Sequence, residues 1–163
     1  MQGKEYSSVP ETKKHIGLVS SYINRIALEL LYRISKHDIS KLESPEVTYF
    51  DAHTPNLANL TFGSDEYKQS LKELELALKH HYALNRHHPE HFENGIMGMN
   101  LIDIVEMFCD WYASTKRHNN GDIIKSIEIN QKRFGYSDDL KAIFENTYKE
   151  IFAEGPDVQT EQS

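Results

Sequence analysis

The stretch Leu71-Lys72-Glu73-Leu74-Glu75-Leu76-Ala77-Leu78-Lys79-His80-His81 runs without a break into Tyr82-Ala83-Leu84-Asn85-Arg86-His87-His88-Pro89-Glu90-His91. Leu71, Leu74 and Leu78 recur at helical spacing, and the same stripe continues through His81 to Asn85 and His88. The spacing predicts a helix beginning near Ser64, a good N-cap, and ending at the histidines. Pro89 disfavours helical geometry at His88, which assigns the later histidines to a turn. His80 falls beside Leu76, Leu84 and His87, so His81 is the more inward of the doublet. Five of the nine histidines lie between residues 80 and 91. Imidazole titrates near ~6.5 and is the commonest neutral metal ligand, so this density points to metal binding or proton transfer beyond ordinary packing.

On either side of this stretch, every other periodic segment also reads as helix. Pro10-Glu11-Thr12 suits a first helical turn, and Ile16, Val19, Ile23, Ile26, Leu30 and Ile34 follow at three- and four-residue steps. For His15 to share a metal with His37-Asp38, this run must turn, because an unbroken helix would hold them ~33 Å apart. Ser20-Ser21 and Asn24 are the weak points, giving two helices near 10–20 and 24–36 with a turn between Ser20 and Arg25. Ser44-Pro45-Glu46 can start a short helix, and Thr54-Pro55-Asn56 reads as a loop. Leu101, Ile104, Val105, Phe108 and Trp111-Tyr112 give the next helix an apolar face. Asp103, Glu106 and Asp110 read as a solvated acidic edge, the alternative being that Asp103 stands at the boundary and faces the histidines. Asn119-Asn120-Gly121 marks a turn before a helix carrying Ile123, Ile124 and Ile127, and Ser137 caps a last helix with Leu140, Ile143, Phe144, Tyr148 and Ile151 on its core side. No strand alternation, internal repeat or heptad array stands out. The expectation is an all-α, compact single-domain bundle of about six helices over residues 10–153, followed by a polar, disordered tail at 154–163.

At 163 residues the chain is long enough to bury a core without staples. Its lone cysteine, Cys109, excludes an internal disulfide framework and a CxxC zinc site, and points to a reducing cytoplasm. No apolar run approaches the ~20 residues needed to cross a bilayer, and the first residues lack the hydrophobic core of a signal peptide. Eighteen basic against twenty-five acidic residues, a formal charge of −7, argue against nucleic acid as a partner. A bound cation could still draw an anionic ligand against that field.

His15, the doublet His37-Asp38, the doublet His80-His81 and Asp103, in that order on an all-helical chain, resemble the HD-domain metal-dependent phosphohydrolase superfamily over about residues 12–112. His37-Asp38-Ile39-Ser40-Lys41 resembles the His-Asp-x-x-Lys form found there. More closely, His-Asp-x-Ser-Lys with a His-His-x-x-x-x-x-His-His stretch is similar to an uncharacterised family of small phage and bacterial proteins. The resemblance implies an HD-type bundle holding one or two divalent ions (Mn, Fe, Co, Mg or Zn). His15, His37, Asp38 and Asp103 would be ligands of the first, and Asp38 would bridge to a second on His80 or His81. Lys41 would face a substrate phosphate, with His87 and His88 as proton donors or second-site ligands. The implied reaction is hydrolysis of a small phosphorylated substrate, a nucleotide or another phosphate ester, by metal-activated water in the cytoplasm, or the host cytoplasm if the chain is phage-encoded. No Gly-Tyr-Pro follows the His doublet, which argues against a cyclic dinucleotide. A di-iron oxygenase with nearly the same ligands and a non-catalytic nucleotide-binding phage accessory protein are the alternatives.

Overall fold

The structure, a computed structural model, describes residues 6–59, 65–116 and 121–153. Among these the architecture is all-α. Six α-helices run Val9–Ile34 (α1), Glu46–Asn59 (α2), Asp65–Leu84 (α3), Leu101–Thr115 (α4), Ile123–Phe134 (α5) and Asp138–Thr147 (α6), and no described residue lies in a strand. None of these helices is long and apolar enough to cross a membrane. Ser64, Asn119-Asn120 and the expected tail at 154–163 lie outside the described residues. The chain groups into two units, residues 1–39 and 40–163.

The first unit is α1 and the turn after it. The expected break between Ser20 and Arg25 is absent, for α1 continues unbroken for 26 residues. Ser20, the expected turn-former, instead donates its hydroxyl to the Ile16 carbonyl one turn back at 2.9 Å, satisfying its polar group without leaving the helix. Ser35 ends the helix in the same way, donating to Tyr32 O at 2.7 Å. Asp38 then takes φ +56°, the left-handed region that aspartate tolerates better than most residues.

In the second unit α2 and α3 form an antiparallel pair, which brings the start of α2 beside the end of α3. Glu46 does open a helix, as its sequence suggests, but Thr54-Pro55-Asn56 lies within α2 and not in a loop. Of the expected inward stripe on α3, Leu74 and His81 are buried and Leu78 is half-buried, the Leu71 side chain lies outside what is described, and Ala77, not expected there, is buried beside them. The main core lies among α4, α5 and α6, where Met107, Phe108, Trp111, Ile123, Ile127, Tyr136 and Phe144 are buried together. Phe108 and Phe144 stack at 5.3 Å between ring centroids, and Tyr136 meets Phe144 edge-on at 5.6 Å. Tyr136 keeps a buried hydroxyl satisfied by donating to Ile127 O at 2.6 Å, and burial pushes its phenol well above the usual range. Part of the expected apolar face points elsewhere: Leu101, Val105, Ile143 and Ile151 are exposed, and Met107 takes the inward position on α4.

Helix ends follow local chemistry. Asn100 accepts from the backbone of Ile102 and Asp103 while Asp103 accepts from Asn100 N, a complete capping box for α4. Asp122 accepts from Ile124 N at 2.8 Å and Lys125 N at 3.3 Å to start α5, which ends on Gly135 at φ +67°. Ser137 caps α6 as expected, accepting from Leu140 N at 3.3 Å. Asp122→Ala should cost roughly 1 kcal/mol, or about 2–4 °C in thermal midpoint, because two first-turn amides lose their acceptor. Differential scanning calorimetry checks this, and an unchanged midpoint would remove the cap from the account.

Candidate metal centre

The centre of the second unit's polar chemistry is Glu46, a fully buried carboxylate at the first residue of α2. His80 Nδ1 lies 2.8 Å from its Oε1 and His81 Nδ1 lies 2.9 Å from its Oε2. Ser40 donates its hydroxyl to the same Oε2 at 3.0 Å and accepts in turn from Asn85 Nδ2 at 2.8 Å. A carboxylate accepts and does not donate, so both histidines carry their proton on Nδ1. The lone pair of His81 is thereby placed on Nε2, on the far side of the ring from Glu46. That nitrogen stands 2.9 Å from His88 Nε2.

A second buried histidine repeats the arrangement. His87, as buried as His81, has Nδ1 3.2 Å from Glu106 Oε1. The turn after α3 that Pro89 enforces is what brings it there, with the His87 and His88 rings 4.1 Å apart and the His81 and His88 rings 4.8 Å apart. One ring nitrogen each from His81, His87 and His88 lies within 4.8 Å of the others. Tetrahedral ligation at ~2.1 Å sets ligand nitrogens ~3.4 Å apart, so His81 and His88 need to part by about half an ångström to share an ion. Carboxylates behind ligating imidazoles fix tautomer and ring orientation and raise ligand basicity, which is the part Glu46 and Glu106 are placed to play. Three imidazoles so held fit a divalent transition metal with a position left open.

The other expected site residues are placed as follows. His15 is exposed on α1, and the continuous helix runs about 28 Å from it to the helix end at Ile34; the ligand role expected of it jointly with His37-Asp38 fails on that geometry. His37 and Asp38 close the first unit, with His37 Nε2 3.6 Å from Asp38 Oδ2. Lys41 is half-buried in the short 3-10 turn Ile39–Leu42. His80 is turned outward, its side chain 41% exposed, and serves Glu46. Asp103 is not on a solvated edge: it is fully buried, with Arg86 Nε 3.2 Å from Oδ1 and Arg86 Nη2 3.0 Å from Oδ2. With Asn100 N also donating to Oδ2 at 3.0 Å, Asp103 anchors the start of α4. Among the described residues His15, His80 and Asp103 belong to no group of closely spaced ligand atoms. His91, inside the same sequence cluster, turns Nδ1 to the Tyr82 carbonyl at 2.9 Å and braces the turn.

Glu46 and Glu106 were not legible as site residues. Glu46 reads as an ordinary first-turn acid, and nothing in its spacing ties it to histidines more than thirty residues away. Glu106 stands in the sequence as one acid among three. Tyr82, whose ring lies 4.8 Å from that of His88, borders an open cleft of about 770 Å³ that also takes in Lys72, Lys79 and Glu90. Burial, and then the neighbouring Glu90 carboxylate, push the Tyr82 phenol up, with Arg133 opposing them.

No curated protein and no solved structure matches the chain significantly. One family model does match, over residues 4–153, and so spans every described element and the whole histidine cluster. The chain belongs to that family, the family of unknown function DUF5662.

Proposed function

We propose that this protein is a metal-dependent phosphohydrolase acting on a nucleotide or another small phosphate ester. One observation carries the reading: His81, His87 and His88 bring ring nitrogens together, and the first two are each backed at Nδ1 by a glutamate. His81, His87 and His88 would hold the ion, and a bound divalent cation supplies Lewis acidity and water of lowered pKa there. Glu46 holds the His81 proton at Nδ1, while Ser40 and Asn85 keep Glu46 and the end of α3 in register. Glu106 does the same for His87. The cleft beside Tyr82 sets Lys72 and Lys79 against Glu75 and Glu90, so attraction for an anionic substrate would come from the bound cation. The HD-domain resemblance supplies the choice of phosphate esters and adds Lys41 as a candidate contact to the substrate.

The test is elemental analysis of protein purified without chelator, then a screen of nucleotides and small phosphomonoesters in Mn²⁺, Co²⁺ or Fe²⁺. Near-stoichiometric metal and chelator-sensitive release of phosphate are expected. Metal with oxygen uptake and no phosphate release would replace hydrolysis by oxygenation. Protein that neither retains nor takes up metal would end the reading.

A further inference from the structure

The open cleft beside the metal centre is built on the face of α3 along which Lys72, Glu75, Lys79 and Tyr82 follow at steps of three, four and three, with Glu90 and His91 added from the turn after it. Leu78, Tyr82 and Ala83 give it apolar walls. At about 770 Å³ it has the size of clefts that hold small organic molecules, ~300–1,000 Å³. Tyr82 belongs both to this cleft and to the surroundings of the metal centre, its ring standing 4.8 Å from that of His88. The ring is also held at its hydroxyl, which accepts from Arg133, while Arg133 Nη2 is itself fixed by Glu90 Oε1 at 2.6 Å. An aromatic plate immobilised in this way loses little freedom when a second ring stacks on it.

The charges of the cleft decide what can occupy it. Lys72 and Lys79 are opposed by Glu75 and Glu90, so its lining has no net attraction for a phosphate, which would instead be drawn to a cation on His81, His87 and His88. An aliphatic guest would use the apolar walls and none of the four charged groups. A neutral heteroaromatic ring uses both: its face matches Tyr82, and the donors and acceptors on its edge match lysine ammoniums and glutamate carboxylates. We infer that this cleft is the subsite for the base of a nucleoside, with Tyr82 as the stacking platform, so that the ester brought to the metal centre is a nucleotide and not a small aliphatic phosphate. The last step rests on the phosphohydrolase reading, whereas the base subsite stands on the cleft alone.

Titration of the chelator-treated full chain with adenosine, followed by saturation-transfer NMR, tests the subsite without any metal. Adenosine should bind and ribose should not. Tyr82→Ala should weaken adenosine binding by at least about 5-fold through lost stacking, and Tyr82→Phe, which keeps the ring, should retain it. Ala83→Phe fills the cleft from an exposed position on α3 and should abolish binding with the core untouched. Wild-type protein that does not bind adenosine, or Ala83→Phe protein that binds it as well as wild type, would overturn the subsite. Adenosine bound in the expected pattern, with no phosphate released from adenosine 5′-monophosphate by the metal-loaded protein, would uphold the subsite and end the phosphohydrolase reading. Phosphate released as fast from glycerol phosphate as from adenosine 5′-monophosphate, by protein that does not bind adenosine, would keep hydrolysis and overturn the subsite.

Discussion

His81→Ala is expected to lower divalent-metal affinity by more than about 100-fold while leaving the helical far-UV signal in place. Loss of a supporting partner behind a ligand already costs ~10–100-fold, and direct removal of a ligand should exceed that. His81 is the natural choice because its Nδ1 is committed to Glu46 and its Nε2 faces His88 at 2.9 Å. His91→Ala is the matched control: it removes an imidazole from the same stretch of sequence, but one that faces the Tyr82 carbonyl. Titration calorimetry with Mn²⁺ or Co²⁺ on both variants separates site chemistry from a general effect of lost histidine. Equal affinity in His81→Ala and wild type would sink the three-histidine site.

The largest stability effect should come from Glu46→Ala. The carboxylate is fully buried and accepts from Ser40, His80 and His81, so truncation leaves three donors without their acceptor and a hole at the start of α2. Leaving a buried donor without its acceptor costs about 1–3 kcal/mol, and the buried His81 with the half-buried Ser40 puts this site at the upper end of that range. Glu46→Gln keeps the volume but presents an amide that cannot accept at both ends, so it should lose less stability and still cost about 10–100-fold in metal affinity. Urea unfolding of both variants decides the first point, and metal titration of the glutamine variant the second. A Glu46→Ala midpoint equal to wild type would make the carboxylate incidental.

Much of the secondary structure was legible because it rests on local rules. The inward turn of His81 relative to His80 follows from the register set by Leu74 and Leu78, and the placement of His87 and His88 in a turn follows from Pro89. Ser137 caps α6 for the reason its sequence suggests. The misreadings have separate causes. The break in α1 was demanded by a ligand set and not by the chain's own chemistry, and a helical serine can satisfy its hydroxyl on the preceding turn, as Ser20 does. Thr54-Pro55-Asn56 suggests a loop by composition, yet the helix runs through it.

Spacing within a few residues is enough to make this chain helical, to gather its histidines at the end of one helix and to turn one of the first pair inward. What those histidines meet depends on packing between elements far apart in the chain. Glu46 reaches His80 and His81 only because α2 and α3 pack antiparallel, and Glu106 reaches His87 only because the turn after α3 carries that ring to α4. Asp103, which sequence order made a ligand, is claimed by Arg86 and the start of its own helix, because a buried carboxylate settles on the nearest donors that can offset its desolvation.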